Sequence, residues 1–204
     1  MKPVFVIIEG RESKLAEAQA IAEWVEGRLD ITSHVCSISM TYQEAQMFNA
    51  KYLGDRLTCM HPSWDHVITG QTDGFPYNPD AWEDAFLDWD YIGPPWPPRL
   101  VAGAAGMTVG SSGCCMRSRK FFRLCQRITF TLGVNDDVWM CQLNRERLEG
   151  MGAKFAPPDV ASRFAVEEGT DVPWPALGNS FAFHGLVPER REYLRGLGAT
   201  FLQG

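Results

Sequence analysis

No two cysteines in this 204-residue sequence have the Cys-x-x-Cys spacing of a zinc ribbon or a redox dithiol. The six cysteines are an adjacent pair, Cys114-Cys115, and four isolated thiols in apolar stretches, Cys36, Cys59, Cys125 and Cys141. That distribution suits reduced, core-packed thiols rather than three disulfides. Histidine is scarce, four residues in all, and Cys59, His61 and His66 are the one group with any metal character. Their spacing matches no standard zinc pattern. Long apolar runs are missing as well, each candidate being broken by Glu, Asp, Gly or Pro short of the ~18–20 residues a membrane span needs. The six apolar residues before Glu9 are too few for a signal-peptide core, so a cytoplasmic chain without a membrane span is expected.

Positive charge is also in short supply. The formal net charge is −6, with a balance of −8 over residues 1–100 and +2 over residues 101–204. A dedicated nucleic-acid binder needs a clearly basic domain to replace the counterions on phosphate, and this chain has none. Five bases do crowd together at Arg117, Arg119, Lys120, Arg123 and Arg127. They form either a solvated helix face or a contact for one or two phosphates. Repeats, low-complexity tracts and flexible linkers are absent.

What is present is an ordinary globular composition, 45% hydrophobic and 22% charged, in a length that fits one domain spanning 1–204 and buries a core unaided. The opening PVFVIIE reads as a buried parallel strand. Ser13 is a candidate cap for a helix whose apolar face is Leu15, Ala18, Ile21, Ala22, Val25 and Leu29. A second strand, HVCSIS, a helix from about Thr41 to Leu57, and a third strand, HVITG, follow. This strand–helix alternation predicts an α/β fold with a mostly parallel central sheet flanked by helices. Ligands bind beyond the carboxyl ends of such strands, which places the Glu9–Arg11 turn and the Gln71–Gly74 turn at one mouth.

The second half is richer in Pro, Trp and Gly. A β-like AGMTV leads into Gly110-Ser111-Ser112-Gly113. Helices are predicted from about Ser118 to Arg127, from Asn135 toward Glu149 with Gly150 and Gly152 as the stop, and after Pro188. Four short features carry possible chemistry. Gln71-Thr72-Asp73-Gly74 sets a carboxylate at a strand end, where a hard cation finds oxygen, although Asp-Gly is also simply a good turn. The Gly110–Gly113 loop permits close backbone approach, but it has neither Walker A nor dinucleotide spacing. Asn135-Asp136-Asp137 begins a helix, where acids are favoured by the dipole and can also serve as a base. His184 is a lone imidazole in an apolar stretch, by itself as good a core residue as a ligand.

Together, the order of these pieces resembles a little-studied family of glycosyltransferases of the GT-A (Rossmann-like) fold. That family has a strand ending in Gln-x-Asp-Gly-Phe, then Asp-Tyr-Ile-Gly-Ala-Pro-Trp and Gly-Asn-Gly-Gly-Phe-Ser-Leu-Arg-Ser. Asn-Glu-Asp, Phe-Ala-Pro, Phe-x-x-Glu and Phe-Gly-Phe-His-Gly come later. Here the stretch Asp65 to Phe122, Asn135–Asp137, Phe155–Pro157, Phe164 to Glu167 and Phe181–Gly185 take those places. The resemblance implies a metal-dependent, inverting transfer of sugar from a nucleotide-diphosphate donor to a hydroxyl on a glycan or glycolipid headgroup. A hydroxylated DNA base as acceptor, or a non-catalytic nucleotide-sugar-binding module, are the alternatives.

By the same resemblance Asp73 and His184 are ligands of Mn²⁺ or Mg²⁺, with Gln71 where a first acid often stands. Asp137 is the catalytic base beside Asp136, and Gly110, Ser111, Ser112 and Gly113 pack against donor and acceptor. Residues 1–75 are then the nucleotide-binding half, and 76–204 the acceptor and catalytic half. The chain departs from the family in its SSGCCMRS loop and in Asp136, which replaces a Glu. By position, Arg11 and Arg117 are candidates to meet nucleotide or phosphate. Trp82, Trp89, Tyr91 and Trp96 are candidates for a stacking wall, with Trp82 and Tyr91 expected in the core instead.

Overall fold

A computed structural model describes residues 2–96, 109–167 and 179–202. Among these residues the central sheet has five strands: β1 (Val4–Glu9), β2 (Ser33–Ser37), β3 (His66–Gly70), β4 (Tyr91–Ile92) and β5 (Cys114–Ser118). Their order is β2-β1-β3-β5-β4. β1 pairs in parallel with both β2 and β3, while β5 runs antiparallel to β3 and to β4. Four strands therefore point one way, and β5 alone is reversed. A separate parallel pair, β6 (Ala165–Val166) and β7 (Ala182–Phe183), lies beside this sheet.

Alternation along the strands divides the core. Phe5 and Ile7 face α1 (Leu15–Leu29) through Ala18, Ile21 and Val25, and this cluster continues to Phe75, Phe164 and Phe183. Val4, Val6 and Val67 face the other way, onto Leu53, Leu57, Trp64 and Phe122. α1 buries the predicted stripe of Ala18, Ile21, Ala22 and Val25. Ser13 does not cap it. A 3-10 turn over Glu12–Lys14 precedes the helix, and neither Arg11 nor Lys14, at the two cap positions, makes a side-chain cap.

The helix expected from Thr41 does begin there, with a capping box between Thr41 and Glu44. It is not uniform. α2 (Tyr42–Met47) passes through a π-helical segment, Phe48–Tyr52, before α3 (Leu53–Met60). The reason is local: the Asn49 carbonyl accepts a 2.8 Å hydrogen bond from Arg117 Nη1, and a diverted carbonyl is one way a helical ladder is opened. α4 (Arg119–Gln126) has Ser118 as its cap, with Oγ accepting from the Phe121 N–H at 3.0 Å.

The Asn135 segment is likewise broken, into α5 (Asp136–Val138), a π-helical Trp139–Leu143 and α6 (Arg145–Gly150). Asn135 occupies the cap position without capping, because its Oδ1 accepts from the Tyr42 hydroxyl at 3.0 Å. α7 (Pro158–Phe164) and α8 (Pro188–Gly196) are the remaining helices among the described residues, the second as predicted after Pro188. Residues 105–108 of the β-like AGMTV lie outside the described residues, and Val109 forms an isolated bridge to Pro95. All six cysteines are free; Cys114, Cys115, Cys125 and Cys141 are buried, and burial pushes the Cys125 thiol to about 12. Among the described residues no helix is long and apolar enough to cross a membrane.

Candidate active site

Topology gathers the site. β1 and β3 are parallel, so Glu9 and Gly70 end at the same edge of the sheet. Gly70 pairs with Cys114, which brings the loop entering β5 to that edge too. The turn after β3 closes tightly, with Gln71 and Gly74 exchanging backbone hydrogen bonds of 2.8 and 3.1 Å. The Pro76–Ala182 bridge then ties this turn to the small β6–β7 pair. Glu167 and His184 are the residues that follow β6 and β7. Side chains from five distant segments thus meet at one mouth.

On one side of the turn is a cleft of about 440 Å³ walled by Glu9, Arg11, Tyr42, Gln46, Gln71 and Ser112. Arg11 leans over its rim. Its Nε and Nη2 donate to the two Glu9 carboxylate oxygens at 2.8 Å each, and Nη2 also reaches Thr72 Oγ1 at 3.3 Å. Burial pushes the Glu9 carboxyl up, but the hydrogen bonds and charge of Arg11 outweigh it and hold that carboxyl below the ordinary range. The Arg11 side chain is still 64% exposed, which leaves a fixed guanidinium facing an incoming anion.

On the other side of the turn, His184 Nε2 lies 4.0 Å from Asp73 Oδ1. Its Nδ1 meets the two Glu167 oxygens at 2.8 and 2.9 Å. Burial alone would lower the imidazole pKa; the bond to Glu167 and its charge, then Asp73 and Asp137, raise it instead. The ring rests on Gly113, where an added Cβ would come within 2.1–2.4 Å of three imidazole atoms, and beside Gly74. A carboxylate behind Nδ1 with Nε2 turned toward Asp73 is the arrangement that orients a metal-binding histidine. Two donors 4.0 Å apart fit one small divalent ion, because ligands at ~2.1 Å can be up to ~4.2 Å apart. Among the described residues no group of three or more His, Cys, Asp and Glu side chains forms a ready metal cage. Asp73 and His184 are the donor pair that a cation could meet at this mouth.

Asp137 is half-buried beside this pair. Burial pushes its carboxyl up, while the Val138 N–H (2.7 Å) and the Ser112 backbone oppose that; Glu167 raises it further and His184 lowers it. Asp136 is different. It is fully buried, with Oδ1 accepting from Ser112 Oγ at 2.8 Å and Oδ2 accepting from Asn49 Nδ2. Burial and the neighbouring Asp137 charge push its pKa to about 6, against the pull of Arg117 and Ser112. Both oxygens are engaged, so Asp136 holds Ser112 and Asn49 in place rather than touching a reactant.

Asp73, His184, Asp137, Ser112, Gly113, Arg11 and Gln71 are thus brought together. Others are not. Gly110 faces inward, its Cα against the Trp96 ring and its carbonyl accepting from the Tyr91 hydroxyl at 2.7 Å. Ser111 is the exception: buried with φ +29°, it does reach the site, its Oγ 3.4 Å from His184 Nδ1. Tyr91 and Trp96 are core residues. Trp89 is at the opposite end of the sheet, its carbonyl 3.2 Å from Nε2 of His66 at the start of β3. Trp82 lines a separate apolar pocket with Lys2, Leu29 and Phe181.

Arg117 is buried beneath the cleft, bonded to Asn49 Oδ1 at 2.6 Å and Thr69 Oγ1 at 3.2 Å. It therefore belongs to no surface basic stretch. That stretch starts near the foot of β3, where the Arg119 N–H meets the Asp65 carbonyl and Lys120 pairs with Asp90 at 2.8 Å. The residues that sequence reasoning left without a role are Glu167, Asn49 and Arg190. Glu167 stood within the Phe-x-x-Glu element, its only signal. Arg190, on α8, clamps the His184 and Gly185 carbonyls (2.5 and 2.8 Å) and the Glu167 carbonyl (3.3 Å).

Known proteins agree with this geometry at the level of fold. A family model described as a protein of unknown function, DUF5672, matches residues 38–184. No curated protein matches the chain in sequence. Among solved structures, a glycosyltransferase involved in the glycosylation of the major capsid of PBCV-1 superposes with a TM-score of 0.63 at 9% identity, covering 95% of this chain and all of that one. A mutant Drosophila β1,4-galactosyltransferase 7, in complex with manganese, UDP-Gal and xylobiose, gives 0.52 at 14% identity over 96% of this chain and 74% of that one. The chain has the fold of GT-A glycosyltransferases.

Proposed function

Since the chain belongs to the DUF5672 family, whose description assigns no function, we propose its activity from the site: transfer of a sugar from a nucleotide diphosphate to a hydroxyl acceptor. The observation that carries this reading is the Asp73–His184 pair, 4.0 Å apart and backed by Glu167, set between an Arg11-rimmed cleft and the half-buried Asp137. The cleft takes the nucleoside, and Arg11 meets the diphosphate charge. Asp73 and His184 would hold a divalent cation such as Mn²⁺ or Mg²⁺, which when bound supplies positive charge to the leaving diphosphate.

Asp137 accepts the acceptor hydroxyl's proton as that oxygen bonds to the sugar anomeric carbon and the bond to the diphosphate breaks. A single displacement of this kind inverts the anomeric centre. Asp137 suits the role because, unlike Asp136, it is only half-buried, and burial raises its pKa. Gln71 and Ser112 line the cleft, and Gly113 lies under the His184 ring. The acceptor class we favour is a glycan or glycolipid headgroup. No feature of the described residues favours a DNA base, since Arg117 is buried and the other bases start at the far end of β3.

The test is thermal unfolding with a panel of nucleoside diphosphates and nucleotide sugars, each with and without Mn²⁺, followed by an assay of diphosphate release. Ligand binding to the native state raises the melting temperature by mass action. The expected result is a shift that needs both nucleotide and metal and is lost in Asp73→Ala and His184→Ala. Asp137→Asn should keep that shift while cutting turnover by about two orders of magnitude or more. A shift without turnover on any acceptor would favour a binding module, and no shift with any nucleotide would sink the proposal.

A further inference from the structure

One cluster with metal-ligand chemistry lies outside the mouth. Cys59, His61 and His66 are near one another in sequence, but the fold separates them. His66 turns to the Trp89 carbonyl, and Cys59 is exposed. His61 instead meets His34 of β2, their Nε2 atoms in direct contact, ring centroids 4.5 Å apart and planes tilted by 32°. We propose that His34 and His61 form a two-imidazole site for a borderline divalent cation of the Zn²⁺, Ni²⁺ or Cu²⁺ class, separate from the nucleotide mouth and independent of the proposed transferase activity.

Each neutral imidazole has one basic lone pair. Two Nε2 atoms turned on each other can satisfy only one of those pairs with a shared proton. A cation satisfies both, and imidazole is a preferred ligand for Zn, Cu and Ni, whereas Mg²⁺ and Mn²⁺ favour oxygen. Both rings stand on rigid supports. His34 is held by the parallel ladder, opposite Val6. His61 ends α3, its N–H bonded to the Leu57 carbonyl at 2.7 Å and its own carbonyl accepting from the Trp64 N–H at 3.2 Å. Little ordering therefore remains to be done on binding.

The electrostatics point the same way. The carboxyl end of α3 carries partial negative charge. The Glu26 carboxylate also acts on His34, adding negative potential where a cation would sit. With two protein ligands the remaining coordination positions go to water, and the bound ion ties edge strand β2 to the end of α3.

The experiment uses untagged protein stripped with chelator and titrated with Zn²⁺, Ni²⁺ or Mg²⁺ without nucleotide, read by calorimetry and by thermal unfolding. Expected are one equivalent of Zn²⁺ or Ni²⁺ bound with a rise in melting temperature, and no such response to Mg²⁺. The response should vanish in both His34→Gln and His61→Gln and persist in Cys59→Ser and His184→Ala. Calorimetry at 25 °C on variants with unchanged circular dichroism separates lost binding from lost folding. The proposal fails if wild type binds no equivalent, if either Gln variant binds as wild type does, or if Cys59→Ser alone abolishes binding.

Discussion

Asp136 and Asp137 are adjacent in sequence and opposite in situation. Asp137 is half-buried at the mouth, while Asp136 is buried with both oxygens bonded to Ser112 and Asn49. The pKa of about 6 at Asp136 has a consequence for stability. A carboxyl whose folded pKa lies above its unfolded value binds more protons in the folded state. Its contribution is therefore fully present below the unfolded pKa near 3.9 and is lost as pH rises through about 6. The span corresponds to up to about 3 kcal/mol. Asp136→Asn removes that titration. Replacing Oδ2 by an amide facing Asn49 adds a cost that does not vary with pH, so the difference between the proteins is the readout. Melting temperatures from pH 4 to 7 should show the variant gaining on wild type up to about pH 6 and levelling off above it. A constant offset would show that Asp136 does not titrate there.

At the scale of elements, the glycines act in opposite senses. Gly27 lies on the exposed face of α1 with nothing within 4 Å of a would-be Cβ, whereas Gly113 lies under the His184 ring. Gly27→Ala should therefore stabilise the protein by about 0.5–1 kcal/mol, the helix-propensity difference. Gly113→Ala should destabilise it by about 1–3 kcal/mol through overpacking, and should displace the imidazole from Asp73. Denaturant titration gives both signs. The second variant should also lose the metal-dependent part of the nucleotide shift; retention of that part would mean that the ring position does not depend on the loop. The π-helical segment at Phe48–Tyr52 belongs to this scale as well. It turns Asn49 so that Oδ1 receives Arg117 while Nδ2 is given to Asp136, linking a buried cation to the acidic pair through one amide.

At the scale of the molecule, three apolar clusters among the described residues share strands. β1 contributes Phe5 and Ile7 to one cluster and Val4 and Val6 to another; β5 puts Cys114 and Met116 in one and Cys115 in a third. A sheet whose strands serve every cluster has no natural parting line between residues 1–75 and 76–204. Unfolding in urea followed by far-ultraviolet circular dichroism and by tryptophan fluorescence should give superimposable transitions. Separated midpoints would show that the two halves are independent units.

The sequence by itself determined the framework. Periodicity located β1, α1, β2, β3, α4 and α8, because hydrophobic alternation and turn residues are local signals. The strand ends that those elements imply placed Arg11 and Gln71 at one mouth. The tertiary structure decided what the polar residues do there. Nothing local distinguishes Asp136 from Asp137, makes Arg117 a buried residue and Lys120 an exposed one, sends Trp89 to the far end of the sheet, or sets Glu167 behind His184. Each of those outcomes depends on which segment, tens of residues away in the chain, supplies the opposite wall. Burial and hydrogen-bond partners, which set both charge and accessibility, exist only once that wall is in place.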